Sequence, residues 1–267
     1  MDPLRFLIFT DLDGTLLDHQ TYDYTPALPM LARLRAMGAV VVLASSKTGA
    51  EIAEWQDRLG LGDCPAIVEN GAALYDGSFD DRDYRRIRAV LQTLNAPFLG
   101  FGDMDDAGVA DVTGLSPGAA RKARTRAHSE PGLWQGTEAQ LDGFLSALAE
   151  HGIQARRGGR FLTLSFGGTK AAQMEALIDR YAPEVTVALG DAPNDAEMLA
   201  RADYGIVVRN DHGPGLPPLP GEDRAAEDGP GKEKGRILRT RAEGPAGWTE
   251  GMARLLARPE LSGAADG

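Results

Sequence analysis

Near its start the chain reads Phe6-Leu7-Ile8-Phe9-Thr10-Asp11-Leu12-Asp13-Gly14. The first five residues are a continuous apolar run of strand formers, which is typical of a central parallel strand buried on both faces. Two aspartates and a glycine then end the strand in a polar turn. A buried strand that stops at acidic residues predicts an open α/β sheet with a polar site beyond its carboxyl end.

The same alternation of elements continues on both sides of a different middle block. Helical spacing or short apolar runs predict helices over 26–37, 51–59, 170–181, 196–200 and 247–256, and strands over 39–44, 66–68, 185–189 and 204–208. Strands that alternate with helices indicate a doubly wound, Rossmann-like parallel sheet. Residues 210–235, rich in Pro, Gly and charge, are predicted to form a loop that is partly disordered.

The middle block has another pattern. It predicts helices over 84–94, 107–112, 117–127 and 139–150 and an alternating strand over 159–165. We therefore predict a core domain formed by residues 1–79 and 166–267, with an inserted α/β cap domain over residues 80–165.

The amino-acid composition restricts the classes of molecule that the protein can bind. The chain has 267 residues, 43% of them hydrophobic, and a formal net charge of −11, which argues against nucleic-acid binding. A phosphate-binding site in so acidic a protein needs locally gathered positive charge. One cysteine, no basic signal-peptide start and no long apolar run lead us to expect a cytoplasmic protein without a membrane partner. The number of subunits stays open.

Polar residues follow four of the predicted strands. Because the carboxyl ends of parallel strands share one sheet edge, they are expected to converge on one cleft. The residues concerned are Asp11 with Asp13, Ser45, Glu69 with Asn70, and Asp191 with Asp195, while Lys170 begins the helix before the last of these strands.

Asp11 and Asp13 are two residues apart, so in extended backbone their carboxylates point the same way and call for a cation. Hard oxygen ligands in a small cluster favour Mg²⁺, and Asp191 and Asp195 would complete its shell. One Asp would then attack phosphorus while the other acts as acid and base. Two alternatives are turn or helix caps and a calcium loop, but the residues after Gly14 lack the oxygen ligands of such a loop.

Ser45, with the backbone N–H groups that begin at Ser46, is a candidate phosphate cradle, although serines at strand ends also form turns and caps. Lys170 is a candidate for neutralising the phosphate, because a lysine at a helix start opposes the helix dipole. A surface lysine is the alternative. Asn70 is a further candidate for substrate binding, and Asp195 is also a candidate helix cap.

These motifs together resemble, in order and spacing, the four motifs of the haloacid dehalogenase superfamily: 11–16, Ser45, Lys170 and 190–195. A finer resemblance covers most of the chain and is to the mannosyl-3-phosphoglycerate phosphatase family, whose cap lies between the second and third motifs. It is carried by residues 10–17, 43–48 with Glu51, 68–72, 100–103, 113–116, 129–131, 158–161 and 244–248.

The resemblance implies a role for each matching residue. Asp11 is the implied nucleophile and a metal ligand, Asp13 the acid and base that also binds metal, and Asp191 a Mg²⁺ ligand that Asp195 supports. Ser45 and Lys170 hold the phosphate. On the cap, Glu130 and Arg160 are candidates for binding glycerate or sugar, with a helix-capping glutamate and a surface arginine as the alternatives.

The implied reaction is hydrolysis of a phosphorylated sugar-glycerate, mannosyl-3-phosphoglycerate, to mannosylglycerate, a compatible solute, and phosphate. Alternatives within the same chemistry are glucosyl-3-phosphoglycerate and a general sugar-phosphate or phosphoglycolate phosphatase. Two alternatives of other classes are a phosphosugar mutase or phosphotransferase and a non-catalytic ligand-binding protein. Retention of both Asp11 and Asp13 argues against the last.

Overall fold

A computed structural model describes residues 4–222 and 236–262. Contacts divide the chain into two units, Met1–Ser45 with Lys170–Gly267, and Ser46–Thr169. This division keeps residues 46–79 with the second unit, and the domain boundaries expected from the sequence stay a prediction.

The strands found in the described ranges are β1 (Phe6–Thr10), β2 (Val40–Ala44), β3 (Ala66–Val68), β4 (Ala73–Tyr75), β5 (Phe98–Gly100), β6 (Ser129–Trp134), β7 (Gln154–Gly158), β8 (Phe161–Ser165), β9 (Val185–Gly190), β10 (Tyr204–Arg209) and β11 (Ile237–Glu243). The helices there are α1 (Leu28–Ala36), α2 (Gly49–Leu59), α3 (Arg82–Leu94), α4 (Asp106–Thr113), α5 (Pro117–Arg124), α6 (Glu138–Glu150), α7 (Lys170–Tyr181), α8 (Ala196–Arg201), α9 (Gly244–Leu256) and α10 (Pro259–Ser262).

The first unit contains the parallel strands that the sequence predicts. Strands β11, β10, β9, β1 and β2 lie side by side in that order, and each neighbouring pair is parallel. Strand β1 is central and every one of its residues is buried, as its unbroken apolar run indicates. Thr10 lies opposite Leu43 of β2 and Leu189 of β9, so all three strands end at one edge. The α/β fold class with a parallel core sheet is confirmed.

The second unit is an α/β structure of its own. Strands β5, β6, β8 and β7 form an antiparallel sheet in that order, and β3 pairs with β4 as a hairpin. Helices α3 and α6 bury apolar side chains in one cluster with the sheet residues Leu162 and Leu164. Burial of this apolar surface stabilises the second unit around its own core.

Five of the described strands were not predicted, namely β4, β5, β6, β7 and β11, and β8 begins later than predicted. Strand β5 leads directly into the glycine-rich residues 100–102. Strand β6 contains Pro131 and Gly132, which read as turn residues, and β7 is largely exposed. Strand β4 is only half buried, and β11 mixes arginines with apolar residues directly after the loop. The strand predicted over 159–165 begins at Phe161 instead, because Gly159, at φ +56°, turns the chain.

Several helix ends also shift. Helix α2 starts before Glu51, because the Thr48 side chain accepts the N–H of Glu51 while the Glu51 carboxylate accepts the N–H of Thr48. Helix α5 ends at Arg124 rather than Ala127. The loop predicted over 210–235 has no helix or strand through residue 222, and its remainder lies outside the described residues. In the described ranges, no helix has both the length and the apolarity that a bilayer span requires.

Candidate active site

Lys170 joins two carboxylates at the carboxyl edge of the sheet. Asp11 directly follows β1, and its backbone N–H donates to the carbonyl of Leu189 at 2.9 Å. Lys170, the first residue of α7, donates to Oδ1 of Asp11 at 2.6 Å and to Oδ1 of Asp195 at 2.8 Å. All three charged side chains are buried, so the two ion pairs form away from water.

The turn after β9 fixes Asp195. Its Oδ2 accepts the backbone N–H groups of Asp191 and Ala192, both at 3.2 Å. A Cβ on Gly190 would lie 2.4 Å from the Cβ of Asp195, so only glycine admits this close approach. Both oxygens of Asp195 are therefore engaged, one by Lys170 and one by the turn.

Both oxygens of Asp191 accept side-chain hydrogen bonds. Thr15 Oγ1 donates to Oδ1 at 2.5 Å, and Asn210 Nδ2 donates to Oδ2 at 2.6 Å. Gly14, at φ +84°, passes so close that a Cβ there would lie 2.9 Å from Oδ2. The sequence reasoning missed Thr15 and Asn210. Asn210 directly follows β10, so the strand-end argument would have placed it at this sheet edge, but it would not have revealed the contact with Asp191.

Asp11, Asp191 and Asp195 fit a divalent cation. One oxygen from each lies within 4.8 Å of the others, and all three side chains are buried. Desolvation raises the pKa of Asp11 well above its ordinary value, even though Lys170 lowers it, and burial also raises the pKa of Asp191. Because one lysine leaves this cluster net negative, a hard cation bound by Asp11 and Asp191 would balance it.

Asp13 and Ser45 lie beside this cluster. Asp13 is half-buried in the turn after β1, where its backbone forms an isolated β-bridge with Leu17. Its charge contributes to raising the Asp11 pKa. Ser45 is 1% exposed and directly follows β2, whose end is level with that of β1. The structure thus gathers at one sheet edge all six first-unit residues that the sequence singled out. Their chemical roles stay predictions.

A second layer supports the backbone at Asp11. The fully buried indole of Trp248, in α9, donates from Nε1 to Thr10 Oγ1 at 3.0 Å. The Thr10 hydroxyl in turn donates to the carbonyl of Asp11 at 2.8 Å. These two bonds anchor the end of β1 from the side of the helix.

The four remaining candidates belong to the second unit. Ser46 and Arg160 are exposed, and the Arg160 guanidinium lies 5.5 Å from the Phe161 ring centroid. Asn70 has left-handed backbone, at φ +59°, in a single 3₁₀ turn over Glu69–Gly71. Asn adopts this conformation more readily than other non-glycine residues, and such backbone recurs at functional sites. The substrate-binding roles of these residues stay predictions.

Glu130 lies in the interior of the second unit. Its Oε1 accepts the guanidinium of Arg88 at 2.8 Å and the backbone N–H of Gly102 at 2.9 Å, and the side chain is fully buried. Burial raises the pKa of this carboxyl. Arg88 also pairs with Asp103. Glu130 therefore helps to position the backbone around residues 100–103.

The Glu69 carboxylate accepts several buried hydrogen bonds. These bonds hold the left-handed backbone of Glu69, at φ +52°, in place. Its carboxylate accepts the N–H groups of Ala127 and His128, at 2.9 and 3.2 Å, and the hydroxyl of Ser129 at 2.6 Å. The buried guanidinium of Arg126 lies 3.3 Å away. These contacts tie the turn that carries Asn70 to the start of β6.

Comparison with solved structures finds the same fold in phosphatases. A sucrose-phosphatase from Synechocystis sp. PCC6803, solved with sucrose and phosphate, is 18% identical, with TM-score 0.57 over 94% of this chain and 98% of that one. A haloalkanoate-superfamily phosphatase from Bacteroides thetaiotaomicron is 18% identical, with TM-score 0.56 over 78% and 86% of the two chains. A haloacid dehalogenase-like hydrolase from B. subtilis is 17% identical, with TM-score 0.54 over 95% and 99%.

At such identities the likeness establishes the fold alone. The family itself is established by the sequence model for haloacid dehalogenase-like hydrolases, which matches residues 8–93 and 137–213, together more than half of the chain. The match includes Asp11, Asp191 and Asp195, the three acids of the buried cluster. The chain belongs to the haloacid dehalogenase-like hydrolases.

Proposed function

We propose that this protein is a Mg²⁺-dependent phosphatase that uses Asp11 as a nucleophile, with mannosyl-3-phosphoglycerate as its substrate. The observation that carries the proposal is the buried contact between Lys170 and Asp11, 2.6 Å long, next to Asp191 and Asp195. A fixed ammonium beside a carboxylate favours its ionised form, and the same positive charge can stabilise a phosphoryl group.

In the first step an oxygen of Asp11 attacks phosphorus and the ester P–O bond breaks. Asp13 gives its proton to the departing alkoxide, which leaves as the alcohol of mannosylglycerate. Lys170 neutralises charge on the phosphoryl oxygens, and Ser45 donates a hydrogen bond to one of them. The product on the protein is an aspartyl-phosphate.

In the second step Asp13, now ionised, takes a proton from water. The water oxygen attacks phosphorus, the bond between phosphorus and Asp11 breaks, and inorganic phosphate leaves with the Asp11 carboxylate restored. The same carboxyl group thus serves as acid and then as base, and each cycle ends with Asp13 protonated.

Asp11, Asp191 and the backbone carbonyl of Asp13 are the groups that would hold Mg²⁺. Asp195 keeps Lys170 and the 191–195 turn in place. When bound, the ion supplies positive charge that orients the phosphate and offsets repulsion between it and Asp11. Carboxylate oxygens suit this hard cation, which keeps several waters and a substrate phosphate in its shell.

The substrate class rests on the resemblance of the second unit's segments to the mannosyl-3-phosphoglycerate phosphatase family. A sugar-bearing substrate also agrees with the sucrose-phosphatase that shares this fold. Arg160, exposed and beside an aromatic ring, has the charge to bind the glycerate carboxylate.

The test is phosphate release with Mg²⁺ from mannosyl-3-phosphoglycerate, glucosyl-3-phosphoglycerate, 3-phosphoglycerate, phosphoglycolate and simple hexose phosphates. We expect the largest kcat/KM with the first. A preference for the glucosyl ester would reassign the sugar. Equal, weak activity on all of them would leave the phosphatase assignment standing and remove the substrate. No phosphate release from any ester would overturn the assignment as a whole.

A further inference from the structure

We propose that Asn210 is a positioning residue that fixes the orientation of the Asp191 carboxylate for metal binding. The inference rests on the proposed function, because it concerns the metal ligand of the same site. Asn210 directly follows β10, and its side-chain amide donates to Asp191 Oδ2 at 2.6 Å.

Asp191 is held from both sides. Thr15 donates to Oδ1 at 2.5 Å while Asn210 donates to Oδ2, so each carboxylate oxygen has one donor. Every carboxylate oxygen offers about two lone-pair sites, so one on each stays open toward a cation. A carboxylate with a single donor turns freely about its terminal torsion, which is broad, whereas two donors fix its plane.

The amide of Asn210 is itself oriented. Its Oδ1 accepts the backbone N–H groups of His212 and Gly213, at 2.8 and 3.1 Å. Because the carbonyl end is taken by two donors, the NH₂ end faces Asp191. The turn over residues 210–213 therefore aims a hydrogen-bond donor at a metal ligand that lies on another strand end.

The charge of the side chain matters as much as its aim. The site already gathers the carboxylates of Asp11, Asp191 and Asp195 within 4.8 Å, with Lys170 as the cation that pairs with two of them. A neutral amide supports the negative charge of Asp191 without adding repulsion or competing with the metal for it. Outer-shell partners of this kind commonly contribute about tenfold to hundredfold in metal affinity.

A purely structural role predicts something different. If Asn210 only shaped its turn through Oδ1, an Asp there would accept the same two N–H groups and serve equally well. If the donated bond is what counts, Asn210→Asp and Asn210→Ala share a defect, because neither donates. His212→Ala leaves Asn210 intact, while it removes the stacking of His212 on His19, and so serves as the matched control in the same turn.

The experiment is calorimetric titration of the full metal-free chain with Mg²⁺, accompanied by its melting temperature. We expect Asn210→Ala and Asn210→Asp to raise the Kd for Mg²⁺ about tenfold or more. His212→Ala should stay within about twofold of the unchanged protein. The Asn210→Ala variant should recover most of its kcat at saturating Mg²⁺, since only the orientation of a ligand is lost.

A Kd for Asn210→Ala or Asn210→Asp within about twofold of the unchanged protein would overturn the positioning role. An equal loss in His212→Ala would also overturn it, because the turn rather than the donor would then matter. Failure of the proposed function looks different, since the unchanged protein would then bind no Mg²⁺ or release no phosphate.

Discussion

Nζ of Lys170 lies 2.6 Å from Oδ1 of Asp11, and both side chains are buried. Taking two charges out of water is costly, so such a pair is weak evidence for stability and better explained by function. The acids Asp11 and Asp195 raise the pKa of Lys170 despite its burial. Lys170 is therefore a permanent cation, which offsets part of the desolvation that raises the Asp11 pKa and so favours the ionised nucleophile.

Asp11→Asn removes the nucleophile while keeping its shape. We expect a loss in kcat of at least about 10³-fold, because an amide oxygen forms no stable phosphoryl ester. Steady-state phosphate release measures it. Asp57→Asn, at an exposed position on α2, is the matched control and should keep full activity. Unchanged turnover in Asp11→Asn would exclude the covalent route.

The same substitution should stabilise the metal-free protein. Since burial raises the pKa of Asp11 in the folded state, the folded state binds the proton more tightly than the unfolded chain. The contribution of this group to the free energy of unfolding is therefore lost as the pH rises from about 4, the ordinary aspartate pKa, through the raised pKa of Asp11. Melting curves at pH 8 should place Asp11→Asn above the unchanged protein, and the gap should shrink toward pH 4.

A chelator should abolish activity, and Mg²⁺ should restore it. Calcium should inhibit, because its larger and looser oxygen shell misplaces phosphate relative to Asp11. Phosphate release after chelation, then with each ion added back, measures both effects. Full activity in excess chelator would contradict the metal assignment.

Glu69→Ala should destabilise the second unit strongly. It leaves the buried Arg126 guanidinium without its carboxylate, and breaking such a pair costs about 3–5 kcal/mol. Urea denaturation measures the loss. Glu69→Ala combined with Arg126→Met should recover part of it, because no unpaired charge remains.

Glu138→Ala provides the surface control for this prediction. The Glu138 side chain is 81% exposed in its pair with Arg157, so its removal should change the free energy of unfolding by less than about 0.5 kcal/mol. A comparably small change in the free energy of unfolding for Glu69→Ala would show that the hydrogen bonds of Glu69 do not stabilise the turn of residues 69–71.

The convergence of Asp11, Lys170, Asp191 and Asp195 was predictable because topology brings the ends of parallel strands together. Apolar runs locate those strands in the sequence, and the residue after each run is then placed without knowledge of side-chain contacts. The fold of the first unit follows from the same signal. Among the described strands of the first unit, only β11 was not predicted, because its arginines interrupt the apolar pattern.

The contacts of Thr15, Asn210 and Glu130 were not predictable in this way. Thr15 and Asn210 meet Asp191 through turns whose geometry depends on single glycines and hydrogen bonds, which hydrophobic periodicity does not encode. Glu130 follows the buried Ser129 in a strand interrupted by Pro131, and its partner Arg88 is 42 residues away. Pairings of that kind depend on tertiary packing rather than local pattern.

The hydrogen bond from Trp248 to Thr10 places an intrinsic fluorophore close to the candidate active site. The indole lies two hydrogen bonds from the Asp11 carbonyl and is shielded from solvent quenchers. The other two tryptophans, Trp55 and Trp134, belong to the second unit. With both replaced by phenylalanine, we expect the emission of the remaining indole to change when metal or phosphate arrives at the end of β1, so that binding is followed without any label.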